Sequence, residues 1–200
     1  MSSDAELIQI VDAATAASAE KAGHWLACRP GCAQCCVGVF AISGLDALRL
    51  QQGLKELERT DPKRAEALHE RVRASVERIA AEFPGEATSG LLAESEMDFE
   101  ERFAEYANEE PCPVLDPATG RCDLYAARPM TCRTFGPPVY SAAGIAVCEL
   151  CFVDAPSEVV ERCAVELDAA MEVEQALRQE AEARGEFWGS TLVAMALRDR

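Results

Sequence analysis

From Asp4 to Trp25, Leu7, Ile8, Val11, Ala14 and Ser18 recur at spacings of three and four. That period predicts an amphipathic helix with Asp4 as its N-cap. A second helix is predicted from Ser43 to about Glu58, with Leu45, Leu48, Leu54 and Leu57 on one face. The third is the most strongly written. Asp61 and Pro62 supply an N-cap and a proline at the first helical position. Ala65, Leu68, Val72, Val76, Ile79 and Phe83 follow in register, and Pro84-Gly85 stops the run. Two such helices across so short a link predict an antiparallel pair.

Further along, Ser95-Glu-Met-Asp98 reads as a capping box opening a short helix, with Phe99, Phe103 and Tyr106 turned inward. The pattern lapses between Pro111 and Pro156, where seven prolines and three glycines break any long helix. Loop with short turns is expected there, with a small hairpin near 139–147. Helical spacing returns from Ser157 to Arg184 through Val160, Cys163, Leu167, Met171 and Leu177, with Gly185 as a stop. Thr191–Leu197 predicts a last short helix. The expected fold is mainly α: antiparallel helices framing two Pro/Gly-rich loops. No repeat or linker divides the chain, so one domain over 1–200 is expected.

Charge narrows the partners. The 200 residues carry 35 Asp+Glu against 19 Lys+Arg, a net charge of −16. Binding to nucleic-acid phosphates needs a basic footprint, so nucleic acid is not an expected partner. The longest uncharged runs, Pro30–Leu45 and Thr134–Cys148, hold 16 and 15 residues. Both fall short of the roughly 20 apolar residues of a membrane span. The first basic residue is Lys21, after Asp4, Glu6 and Asp12, unlike the positive start of a signal peptide. The expected location is therefore cytoplasmic, where thiols stay reduced.

Ten cysteines change the picture. Cys28, Cys32, Cys35 and Cys36 form a C-x3-C-x2-CC loop around Pro30 and Gly31. Cys112, Cys122 and Cys132 follow downstream, then Cys148-x2-Cys151. Short turns between cysteines bring thiolates to a common point, as in zinc and iron–sulfur sites. These nine are the candidate metal ligands, within a metal-bearing core of about 24–155 that precedes C-terminal helices over 157–200. Cys163 lies on an apolar helical face and reads as core. His24 is a further candidate ligand, while His69 reads as a surface or boundary residue. Arg29, Arg121, Arg128 and Arg133 lie beside the cysteines and are placed to offset thiolate charge. In extended backbone, adjacent Cys35 and Cys36 would point to opposite sides. Either one of them joins a first centre and the other a second, or one is simply buried. The ligands make one centre or two.

Taken together, C-x3-C-x2-CC followed by Cys112-Pro-Val-Leu-Asp, Gly120-Arg-Cys-Asp-Leu-Tyr125 and Arg128-Pro-Met-Thr-Cys-Arg133 resembles the YkgJ-type cysteine-cluster family. The resemblance implies chelation of zinc or iron in a bacterial protein. Some relatives of that family are associated with N-methylation of flagellin lysines, which gives a second reading as an enzyme or enzyme component. No glycine-rich cofactor loop after a strand supports it in the sequence. A third reading takes Cys148-x2-Cys151 as an exchangeable redox or metal-delivery pair. The C-x3-C-x2-C spacing also matches radical S-adenosylmethionine enzymes, but Gln34 stands where those carry an aromatic and no barrel pattern surrounds it. Thiolates suit zinc, iron and a four-iron, four-sulfur cluster alike. The proline after Cys112 points toward iron–sulfur, since it recurs in the bacterial ferredoxin run.

Overall fold

The computed structural model describes residues 4–141, 144–186 and 189–199. Its eight helices are α1 (Asp4–Ala22), α2 (Gly44–Thr60), α3 (Pro62–Ile79), α4 (Phe99–Glu105), α5 (Met130–Thr134), α6 (Ser157–Cys163), α7 (Asp168–Ala183) and α8 (Val193–Leu197). Short antiparallel strand pairs accompany them, so the mainly α expectation holds. The chain forms two compact units, each assembled from separated stretches. One comprises Met1–Arg29 with Met130–Glu180, the other Pro30–Pro129 with Ala181–Arg200.

The second unit is built on α2 and α3. Ser43 caps α2 through a reciprocal capping box with Asp46, and Asp61 caps α3 by accepting from the Arg64 N–H at 3.2 Å. The one-residue link at Asp61 makes the two helices an antiparallel pair, as expected. Leu50, Leu54, Leu68 and Val72 bury between them with Val114, Leu124, Val193 and Leu197. The buried face of α2 is Ala47, Leu50 and Leu54, while Leu45 and Leu48 are only half-buried. The capping box and the buried Asp46–Arg49 ion pair, 2.6 Å, claim part of the inward face. Phe83, Phe99 and Tyr106 form a neighbouring cluster with Leu192 and Met195. The expected capping box at Ser95 does not form. Glu96 instead turns back onto the Ala93 carbonyl, and α4 starts after Asp98 without a side-chain cap.

The expected last helix is shortened to α8, because Ser190–Thr191 pairs with Ile42–Ser43. Every residue of α8 is buried. Leu115–Asp116 and Arg121–Cys122 form a hairpin that periodicity did not reveal.

In the first unit α1 ends at Ala22 rather than Trp25. Gly23 takes a left-handed φ of +55° there, and residues 23–25 form a 3-10 turn. Leu7 and Val11 pack with Met130, Val165 and Leu167. Ala22 packs with Cys151, Phe152 and Cys163. The single helix expected from 157 to 184 is two. Val165 donates to the Pro138 carbonyl at 2.9 Å and accepts from Tyr140 at 3.0 Å, so it leaves the helical ladder between α6 and α7. Met171, expected inward, is half exposed. The hairpin near 139–147 forms from Val139–Ser141 and Gly144–Ala146, with residues 142 and 143 outside the described residues.

Candidate metal centre

No disulfide joins the ten cysteines, and they divide between the two units. The second unit holds Cys32, Cys35, Cys36, Cys112 and Cys122. The Cys112 N–H donates to the Cys36 carbonyl at 2.7 Å, and Gly38 donates to the Glu110 carbonyl at 2.9 Å. These backbone bonds clamp the loop carrying Cys35 and Cys36 alongside the residues carrying Cys112. Glu110 is fixed in turn by Arg78, with Oε1 at 2.7 Å and Oε2 at 2.9 Å. Across the hairpin, Leu115 pairs with Cys122.

The turn of that hairpin also touches the first loop. Gly120 has φ +66°, and a side-chain carbon added there would lie 3.3 Å from the Gly31 carbonyl oxygen. The backbone beside Cys32 therefore rests on the turn leading to Cys122.

Local backbone dipoles aim at the sulfurs. Cys112 sulfur receives the N–H groups of Val114 and Leu115, and Cys122 sulfur that of Leu124. Such donors favour the thiolate, yet burial dominates. It pushes the Cys112 thiol up to about 11 and the Cys122 thiol upward as well. Cys122 and Cys35 both act on Cys112 through their charge, and Arg128 and Arg64 oppose the rise at Cys122. Cys35 is pushed far up, first by its hydrogen bond with the Cys36 thiol and then by burial. Gln34–Cys36 is a 3-10 turn, not extended backbone. Adjacent side chains are then roughly 120° apart, and the two thiols meet rather than oppose.

Behind this hairpin lies a device that the sequence did not reveal. Arg71 donates to the Pro113 carbonyl at 2.9 Å and to Asp123 at 2.5 Å, while Arg64 pairs with the other Asp123 oxygen. The residues following Cys112 and Cys122 are thus tied to α3.

The first unit holds Cys28, Cys132, Cys148, Cys151 and Cys163. Cys151 sulfur receives the N–H groups of Cys28 and Ala27 while its thiol donates to Cys148, and burial pushes that thiol up. The Phe152 N–H donates to the Trp25 carbonyl at 2.7 Å, holding the Cys148–Cys151 turn against the 24–28 segment. A side-chain carbon on Gly136, at φ +110°, would sit 3.4 Å from Cys28 sulfur. Cys132 lies on α5, four residues before that glycine. Cys163 is buried in the core, as expected, and its carbonyl accepts from the Ser18 hydroxyl.

Of the arginines expected beside the thiols, Arg128 stacks on the Tyr125 ring at 3.9 Å and Arg29 and Arg121 are exposed. Arg133 is buried and pairs with Asp12 at 2.7 Å, so it braces α5 against α1. His24 stacks on Trp25, and His69 pairs with Glu58 at 2.9 Å. Among the described residues, no three His, Cys, Asp or Glu side chains already stand at metal-holding positions. The donor set nevertheless fits a soft or borderline cation. Thiols gather on tight turns with N–H groups aimed at sulfur, which is how thiolate sites are dressed.

Fold and sequence together define a mainly helical cysteine-cluster protein. The family model described as "CxxCxxCC: Putative zinc- or iron-chelating domain" matches residues 27–151, and the chain belongs to that family. No curated protein and no solved structure matches the chain. No described helix is long and apolar enough to cross a membrane.

Proposed function

We propose that the chain binds zinc or iron, as a single ion or within an iron–sulfur cluster, through thiolates drawn from Cys28, Cys32, Cys35, Cys36, Cys112, Cys122, Cys132, Cys148 and Cys151. The observation that carries this reading is the hairpin region holding Cys112 and Cys122, where half-buried thiols receive backbone N–H groups and Cys112 neighbours Cys35. Burial disfavours the thiolate and the N–H groups favour it, so the pocket suits a thiolate only once a cation shares it. A bound zinc or iron ion supplies that positive charge and takes the place of the thiol protons. The chain's own part is to hold the sulfurs and direct N–H donors to them.

The redox reading gains nothing from Cys148 and Cys151, because burial pushes Cys151 up and a reactive thiol needs the opposite. The methylation reading rests on the family resemblance alone.

Anaerobic purification with metal analysis and a visible spectrum tests the proposal. Zinc in a colourless protein, or iron with or without labile sulfide in a coloured one, supports it. Protein that neither retains nor takes up either metal after anaerobic reduction overturns it.

A further inference from the structure

We infer that the cysteines build two separate thiolate centres, one in each compact unit: Cys28, Cys132, Cys148 and Cys151 in the first, and Cys112, Cys122, Cys32 and one of Cys35 and Cys36 in the second. The inference rests on the chelation reading and divides its ligand set.

The first argument is the partition itself. The boundary between the units falls between Arg29 and Pro30, inside the C-x3-C-x2-CC motif. Cys28 is thereby assigned with Cys132, Cys148 and Cys151, and separated from the three cysteines that follow it in sequence. A structural thiolate site closes with four ligands. Each unit holds at least four candidates without borrowing from the other.

The second argument is local bonding. Cys28 and Cys151 are joined by the N–H of one and the sulfur of the other, and the Cys151 thiol meets that of Cys148. Gly136 lets the chain just after α5 approach Cys28, where any side chain would crowd its sulfur. In the second unit, the Cys36 carbonyl holds the Cys112 N–H, and the hairpin pairs Leu115, three residues after Cys112, with Cys122. The Gly31–Gly120 contact brings the Cys32 backbone to the same hairpin. Each of these contacts lies within one unit.

The adjacent pair then has a simple assignment. Five thiols serve four positions in the second unit, so one of the adjacent Cys35 and Cys36 is enough to close the set.

Cobalt(II) is the probe, because its charge-transfer and ligand-field bands report thiolate number. Reduced protein, stripped with chelator and titrated anaerobically, should bind about two equivalents, each with a tetrahedral thiolate spectrum. The C148S/C151S and C112S/C122S variants should each bind about one, with the thiolate band halved. One equivalent in the unaltered protein, or loss of all cobalt in either variant, overturns the division. Cadmium-113 resonance of the unaltered chain avoids dependence on variant folding. Two thiolate-region signals support two centres, and a single signal overturns them. If the unaltered protein takes up no cobalt or cadmium at all, the underlying chelation reading fails together with the division.

Discussion

Arg71 and Asp123 meet at 2.5 Å, and the Asp123 side chain is only 1% exposed. The same guanidinium reaches the Pro113 carbonyl, so one side chain of α3 registers the residue after Cys112 against the residue after Cys122.

Asp123→Ala should therefore act on both stability and metal. Two arginines lose their shared partner, and the expected cost is about 1–3 kcal/mol. For a chain of this size that lowers Tm by about 2–12 °C. Removing a group that orients ligands costs about 10–100-fold in metal affinity. Thermal melts and competition with a chromophoric chelator check the two effects. An unchanged affinity would show that the clamp is purely structural.

Gly53 lies within α2, and a side-chain carbon there would stand 2.5 Å from the Ala127 side chain. Gly53→Ala would gain helix propensity of about 1 kcal/mol in open space. Here the overlap should dominate, for a net loss of about 1–3 kcal/mol. Ala127→Gly in the same chain should restore most of it. Denaturant melts of the single and double variants test this, and independent, additive effects would contradict the contact.

Tyr106 donates to the Ile79 carbonyl at 2.6 Å, and burial, with Glu110 and Glu82 adding to it, pushes its phenol up to about 12. The folded state thus favours the neutral phenol. Its contribution is full below pH 10.0, the ordinary value, and is lost as pH rises through about 12. Stability should fall across that window, and Tyr106→Phe should flatten the fall while costing about 1 kcal/mol at neutral pH. Tyrosinate absorbance should show a late ionisation step that the variant lacks.

Cys163 is 1% exposed and belongs to the core around Ala22 and Phe152. Cys163→Ala should cost about 1–2 kcal/mol through the cavity it leaves. Metal stoichiometry should stay at the unaltered value. A lost equivalent of cobalt would assign Cys163 to a centre instead.

Sequence legibility followed the range of the interactions. The Asp61-Pro62 start of α3 and the burial of Ala65, Leu68 and Val72 were readable, because caps and helical period act within a few residues. The break between α6 and α7 was not, since Val165 is drawn out by Pro138 and Tyr140, which lie far back in the chain. Arg64 and Arg71 pair with Asp123, 59 and 52 residues further along the chain, a contact that no local pattern records. The cysteines were identifiable as a set, but spacing grouped Cys28 with its neighbours in the chain. Folding groups it with Cys151.

The burial of residues 192–197 has a consequence for synthesis. Cys32 through Cys122 emerge from the ribosome well before the segment that completes their unit's core. During that interval their thiols sit on an unfinished scaffold, open to oxidants and to whatever metal is most available. Under the proposed chelation, faithful loading of this unit would be a late event, governed by when translation reaches the strand at Ser190–Thr191 and the helix beyond it.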